Sequence, residues 1–434
     1  MSPDLVVPTA TAPFRATITP PGSKSLTNRA LVLAAMADGT CTLRNVLFAD
    51  DTDVMIDCLA RLGFGLTVDR PTHTITVEGR GGDLPAAAAE LFCGNSGTTI
   101  RFVAALCALG RGVYTLDGVP RMRQRPIGGL VEILKNLGVR IEYPINAGYP
   151  PIRVLADELP GGFLRYGSEV SSQFLSAVLM AAPYARNEVR VELVGQQTSW
   201  PYVAMTMQLM DAFGHTPELE RDAQGNPREI IVPRGRYAAV EYDVEPDASN
   251  ATYFLAAAAV HEGATVTVQG LGKRSLQGDV GFADVLRQMG ADVTLGPDAI
   301  TVRGAGHLDG IEVDLLAMPD TAQTLAVVAL FADGQTVLRG LHTLKLKETD
   351  RLAALATELR KLGASVEAGP DYLVIDPPPR VTPASIATYD DHRMAMSFAV
   401  AGTKVEGVVI QDPACVNKTY PNYFADLQKV LGGR

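Results

Sequence analysis

The chain has 434 residues, 47% of them apolar, which is more than one ordinary core accommodates, so two domains are expected. No apolar run approaches the roughly 20 residues that span a bilayer, and a formal net charge of −10 argues against a nucleic-acid partner, whose domains normally show a dominant basic face. Five scattered cysteines, and six histidines never in metal-ligand spacing, argue against a disulfide frame or a zinc site, so no metal is expected. The first twenty residues lack a signal or transit pattern, and the expected location is the cytoplasm.

Taken in chain order, the predicted elements repeat. ALVLAAMADG from Ala30 is followed by the alternating strand TLRNV and by a helix that ends at Leu62-Gly63. IRFVAALCALG from Ile100, YTLDGV and Leu137-Gly138 follow, then FLSAVLMAAPY from Phe174, VRVELVG and Phe213-Gly214. The second half continues with YFLAAAAVHEG from Tyr253, TVTVQGL and Met289-Gly290, then TLAVVALFADG from Thr324, TVLRGL and Leu362-Gly363. MAMSFAVAG from Met394, VVIQDP and Leu431-Gly432 complete the series.

Successive glycines of these pairs lie 75, 76, 76, 73 and 69 residues apart. Glycine suits the left-handed position just past a helix end, where a strand is expected to follow. The six stretches are apolar on nearly every side, which marks helices buried all round. Periods this long indicate structural repeats, each with at least two helices and several short strands, and each burying its apolar face only against its neighbours.

The residues before the six buried helices are polar: GSKSLTNR (22–29), CGNSGTT (93–99), SEVSSQ (168–173), EPDASNA (245–251), AMPDTAQ (317–323) and TYDDHR (388–393). Capping accounts for their Ser, Thr, Asp and Asn. It does not account for Lys24, Arg29, Arg101 and Arg393, because the helix dipole opposes a cation at an N-terminus. Cations belong there when an anion sits between them and the free N–H groups. The six helix starts are therefore expected on one face, forming a cleft floor built for anions. PRMRQRPIGGL adds Arg121, Arg123 and Arg125, and LKLKETDRL adds Lys345, Lys347, Glu348, Asp350 and Arg351. Both runs turn apolar at once, so their charges sit where the chain enters the core.

PGSKSLTNRA, GNSGTTIRF, PRMRQRPIG, SSQFLSAVLM, LKETDRL, DDHRMAM and NKTYPNYF together resemble the 5-enolpyruvylshikimate-3-phosphate synthases, in order and over essentially the whole chain. The resemblance implies an α/β (α+β) enolpyruvyl transferase fold, an inside-out α/β barrel of two similar domains, each with three βαβαββ repeats. One domain would comprise residues 1–22 plus 243–434 and the other 23–242, with the active site in the cleft between them. The implied reaction adds the 5-hydroxyl of shikimate 3-phosphate to phosphoenolpyruvate and then eliminates phosphate; it involves no electron sink or hydride, so no cofactor is expected. It serves aromatic amino-acid biosynthesis, with those two small molecules as the only partners and the protein acting as a monomer.

By the same resemblance, Lys24, Gly97, Arg125, Gln173, Arg351, Arg393 and Lys418 hold phosphoenolpyruvate. Lys24, Ser25, Arg29, Ser171, Ser172, Gln173, Ser199, Asp320, Thr343 and Lys347 hold shikimate 3-phosphate, while Asn95 and His392 support. Asp320 is the expected base, Glu348 the expected proton donor, and Lys24 the third catalytic group. A carboxylate flanked by Lys347 and Arg351 should have a depressed pKa, so a protonated Glu348 needs burial or ligand charge to offset them.

Two positions depart from the best-known branch of the family. Thr343 stands where that branch has Asn, which puts one substrate hydrogen bond in doubt, and Phe102 stands where it often has Pro. Gly97 leaves room for the phosphonate of glyphosate, so sensitivity is expected. The alternative is the sister transferase acting on UDP-N-acetylglucosamine, which places a reactive Cys before its Arg-Pro turn; residues 111–125 contain none. An RNA 3′-phosphate cyclase would need a basic face, and a non-catalytic relative should lack part of the set Lys24, Asp320, Glu348 and Arg393.

Overall fold

The computed structural model describes residues 3–167 and 171–432. Ser168, Glu169 and Val170, the first half of the third helix start, lie outside them. The chain divides into a terminal unit, Met1–Pro21 with Glu245–Arg434, and a middle unit, Gly22–Val244.

The α-helices in chain order are α1 (Lys24–Met36), α2 (Asp50–Arg61), α3 (Gly97–Cys107), α4 (Gly128–Asn136), α5 (Ser172–Ala181), α6 (Trp200–Ala212), α7 (Ala248–Ala259), α8 (Phe282–Gln288), α9 (Ala322–Val328), α10 (Arg351–Lys361), α11 (His392–Lys404) and α12 (Tyr423–Gly432). They alternate between two kinds. Every residue of α3 and α7 is buried, and α11 exposes only Lys404, as expected for helices that are apolar all round. The helices between them bury one stripe each: α2 hides Met55, Cys58 and Leu59, at the spacing that places residues on one face.

Each repeat in the middle unit closes a four-stranded sheet. Ala88–Phe92 runs parallel to Arg111–Asp117 across α3; that strand pairs antiparallel with Ile152–Asp157, which pairs antiparallel with Arg140–Glu142. The chain order is βαβαββ, and the parallel step needs the helix as its crossover. Gly162–Gly167, Val189–Val194, Pro227–Val232 and Glu218–Arg221 repeat the pattern around α5 and α6. The sheet around α1 and α2 takes its first strand, Glu241–Asp243, from the other end of the unit. In Val189–Val194, buried and exposed residues alternate, so the sheet covers the buried helices on one face and meets solvent on the other.

The terminal unit repeats this arrangement with borrowed strands. Arg15–Ile18 lies parallel to Thr265–Gln269 in the sheet around α7 and α8. The sheet around α9 and α10 is built locally, from Glu312–Asp314 to Leu373–Asp376. Around α11, Ser385–Ile386 and Val409–Ile410 are completed by Leu5–Val6 from the N-terminus, giving three strands.

Gly63, Gly138, Gly214, Gly290 and Gly363 follow their helices at φ of 88°, 93°, 80°, 106° and 100°, the left-handed stop that the apolar-Gly pairs predict. The sixth pair departs from that expectation. Gly432 is the last residue of α12 and still helical, so no left-handed stop is seen there. No helix of the described residues is long and apolar enough to cross a membrane.

Candidate functional site

The predicted residues of the middle unit converge at the starts of α1, α3 and α5. Ser23 caps α1 by accepting the Leu26 amide at 3.4 Å, which places Lys24 in the first turn. Lys24 Nζ donates to Asp51 Oδ2 at 3.2 Å, and the Asp51 side chain is 3% exposed. The Asp51 carbonyl accepts from Ser96 Oγ and Thr99 Oγ1, both at 3.3 Å, fixing the start of α3 beside Lys24.

Arg101 ties the rest together. It is buried, and its Nη1 donates to Gln173 Oε1 at 2.8 Å and to the Gly97 carbonyl at 3.1 Å, while Nη2 reaches the Pro126 carbonyl at 3.1 Å. Arg125 donates through Nη1 to the Asn95 carbonyl at 2.8 Å and to Asn95 Oδ1 at 3.1 Å. A β-carbon on Gly97 would sit 2.5 Å from Arg101 Nη1 and 2.6 Å from Arg125 Nη2, so only glycine lets both guanidinium groups approach this backbone. Ser171 caps α5 by accepting the Gln173 amide at 3.3 Å, and Ser172 is buried. Ser199 precedes α6 in a left-handed conformation, φ 54°.

Arg29 is 1% exposed, and among the described residues no carboxylate lies within ion-pair distance of it. Its Nε donates to Thr206 Oγ1 at 2.7 Å and Nη1 to the Ser25 carbonyl at 2.9 Å, and its Cζ stands 5.0 Å from the centre of the Phe102 ring. Phe102 thus backs the guanidinium with a π face. Burial pulls the Arg29 pKa down to about 9, the mark of a cation whose surroundings lack a countercharge.

The terminal unit assembles the opposite kind of cluster. Arg351, the first residue of α10, donates from Nε to Asp391 Oδ2 at 2.7 Å, from Nη2 to Glu348 Oε2 at 2.8 Å and from Nη1 to Asp320 Oδ1 at 3.2 Å. Burial alone would lower its pKa, but Asp391, Glu348 and Asp320 outweigh burial and raise it. Arg393 Nη2 donates to the second oxygen of Asp320 at 3.0 Å, and Lys347 Nζ lies 3.9 Å from the first. Asp320 is thereby held by three cations and is 20% exposed, while Glu348 and Asp391 are buried.

His392 is buried, with Nδ1 3.7 Å from Asp391 Oδ1. Thr343 is buried, and its Oγ1 has no hydrogen-bond partner among the described residues. Lys418 is buried at the end of a 3₁₀ turn, Pro413–Lys418, packed on α11. No group of three or more His, Cys, Asp and Glu side chains suited to a metal ion occurs among the described residues. A cavity of about 630 Å³ between Leu330, Pro379, Arg380 and Lys404 sits at the other ends of α9 and α11 and includes none of these residues.

The sequence model of the family described as EPSP synthase (3-phosphoshikimate 1-carboxyvinyltransferase) matches residues 8–427. The chain belongs to the EPSP synthase family.

A 3-phosphoshikimate 1-carboxyvinyltransferase of Trichormus variabilis is 46% identical over 428 residues, covering 99% of both chains. One from Burkholderia vietnamiensis is 49% identical over 422 residues, covering 94% of this chain and 95% of its own. The solved EPSP synthase of Acinetobacter baumannii superposes with a TM-score of 0.80 at 26% identity, over 98% of this chain and 97% of that one. The family's activity is carboxyvinyl transfer from phosphoenolpyruvate to shikimate 3-phosphate in the shikimate pathway, and this chain is an enzyme of that kind. The UDP-N-acetylglucosamine alternative is not favoured.

Within this EPSP synthase fold, two acids that sequence reasoning passed over, Asp51 and Asp391, are part of the geometry, and so is Arg101, which the sequence marked as an anion-facing cation without assigning it a ligand. Asp51 holds Lys24, Arg101 joins Gly97 to Gln173, and Asp391 grips Arg351 while accepting the Arg393 amide at 2.9 Å. Asp391 stood inside the quoted DDHR motif, but an acid before a helix reads as a cap. It is one, and a buried counterion as well.

Proposed function

We propose that Lys24, Gly97, Arg125, Gln173, Arg351, Arg393 and Lys418 bind phosphoenolpyruvate, and that Lys24, Ser25, Arg29, Ser171, Ser172, Gln173, Ser199, Asp320, Thr343 and Lys347 bind shikimate 3-phosphate. Asn95 and His392 support them. Arg29 supports this reading: a buried guanidinium without a carboxylate neighbour gains most from a dianionic ligand.

The observation that carries the mechanism is Asp320, an accessible carboxylate fixed by Arg351, Arg393 and Lys347. It accepts the proton of the substrate 5-hydroxyl as that oxygen bonds to C2 of phosphoenolpyruvate, while Glu348, protonated once the negative charge of the bound ligands offsets Arg351, delivers that proton to C3. A proton then returns from C3 to the Glu348 carboxylate, the C2–O bond to phosphate breaks, and the departing phosphate takes the proton held by Asp320, so that the enol ether and inorganic phosphate remain and both carboxyl groups regain their starting states. The cations neutralise charge on the leaving phosphate, and because they are already held by carboxylates, little reorganisation accompanies the step.

Five free, buried cysteines suit the cytoplasm, and the closed core of each unit suits a monomer. The test of the assignment is Arg393→Lys, which keeps the charge but removes the guanidinium fork. We expect KM for phosphoenolpyruvate to rise about tenfold or more with that for shikimate 3-phosphate unchanged. Equal changes in both constants would contradict the division of the set.

A further inference from the structure

Just before α11 the backbone takes a conformation that its sequence does not favour. Tyr389 and Asp390 are both left-handed, at φ of 55° and 54°. Neither is glycine, and two such residues in succession persist only where their surroundings over-determine them. The turn they form sets the next three residues, Asp391, His392 and Arg393.

The group that holds the turn is Glu358 of α10, a carboxylate with a side chain 0% exposed. Its Oε1 accepts the Tyr389 hydroxyl at 2.6 Å, and its Oε2 accepts the Ala387 amide at 3.1 Å and Lys361 Nζ at 2.7 Å. The carboxylate thus grips the segment on both sides of Thr388. Partial desolvation and the Glu358 charge push the Tyr389 phenol up to about 12, so it stays a donor throughout the working pH range.

Glu358 lies seven residues after Arg351 on the same helix, so both project from one face, about 10 Å apart along the axis. Arg351 binds Asp391 and Glu358 binds Tyr389; α10 therefore fastens the turn at two points.

We propose that Glu358 and Tyr389 are positioning residues of the transferase: a latch that keeps the left-handed turn formed and so fixes Asp391 and Arg393 where phosphoenolpyruvate requires them. The proposal rests on the assignment of Arg351 and Arg393 to that substrate. A buried carboxylate that served stability alone would not need to engage the strained pair of residues that leads into Asp391 and Arg393.

Tyr389→Phe removes a single hydroxyl, and two readouts test the latch. By hydrogen exchange on the unliganded chain, the Asp391 amide, which donates to the Thr388 carbonyl at 2.9 Å, should exchange about tenfold faster than in wild type. In steady-state assays KM for phosphoenolpyruvate should rise about five- to tenfold, with that for shikimate 3-phosphate within twofold. Glu358→Gln should shift the same constants in the same order. Unchanged exchange at Asp391 overturns the latch whatever the kinetics show. Faster exchange with unchanged or equally raised KM values makes the latch structural only, which also overturns the proposal. A wild-type chain that fails to consume phosphoenolpyruvate would instead refute the substrate assignment, and the exchange experiment would still decide the latch.

Discussion

Replacing Asp391 by asparagine removes one negative charge and almost no volume from the centre of the terminal unit. The carboxylate is 0% exposed and accepts three hydrogen bonds: Arg351 Nε at 2.7 Å on one oxygen, and Arg351 Nη2 at 3.3 Å with the Arg393 amide at 2.9 Å on the other. An asparagine keeps one acceptor. In one orientation its NH₂ faces the Arg351 Nε–H, and in the other it faces both remaining donors, so a donor meets a donor either way. Breaking a buried ion pair from one side costs about 3–5 kcal/mol. For a unit of about 200 residues, each kcal/mol lowers Tm by roughly 2–4 °C, so the expected drop is about 6–20 °C. Calorimetry should show that drop in one transition, with the middle unit's transition unchanged, and KM for phosphoenolpyruvate should rise at least tenfold as Arg351 loses its seat. A shift below about 2 °C with an unchanged KM would refute the account of Arg351 as a cation held by buried carboxylates.

Four further outcomes follow. In Gly97→Ala the new methyl lies 2.5 Å and 2.6 Å from two guanidinium nitrogens that are already hydrogen-bonded, so KM for phosphoenolpyruvate should rise about fivefold. The native enzyme should be inhibited by glyphosate more tightly than millimolar, and the alanine variant far less; a native inhibition constant no tighter than millimolar would count against this. All five cysteines are free and buried, and burial pushes the Cys107 thiol well up and that of Cys415 to about 12. An aromatic disulfide reagent at pH 8 should therefore titrate almost no thiol in the native chain and five after denaturation. Burial lowers the pKa of His215 and His261 below the ordinary 6.5, so the unfolded chain takes up their protons first as pH falls. Their contribution is fully present above pH 6.5 and is lost below it; Tm should fall between pH 7.5 and 5.5, less steeply in His261→Gln, and an unaltered slope would contradict the assignment.

The sixfold repeat was legible because each signal is local. An all-round apolar helix, a left-handed glycine and an alternating strand each declare themselves within a dozen residues, and Gly432, still helical at the end of α12, is the departure. Strand exchange was not legible in that way. Nothing in Glu241–Asp243 says that it joins Thr40–Arg44, or in Leu5–Val6 that it joins Val409–Ile410, because those partners are fixed by three-dimensional closure. The cations of the site stood out because they oppose helix dipoles. The acids that hold them did not: Asp51 and Asp391 read as ordinary helix-start residues, and Glu358 reads as a surface charge beside Lys361. Their roles depend on Lys24, Arg351 and Tyr389, which lie 27, 40 and 31 residues away.

The most direct test of the whole account is phosphate release from phosphoenolpyruvate by the full chain, with a chelator present, using shikimate 3-phosphate or UDP-N-acetylglucosamine as acceptor. Release with shikimate 3-phosphate alone, abolished in Asp320→Asn, is the predicted result. Release with the nucleotide sugar, or release that persists undiminished in Asp320→Asn, would contradict it.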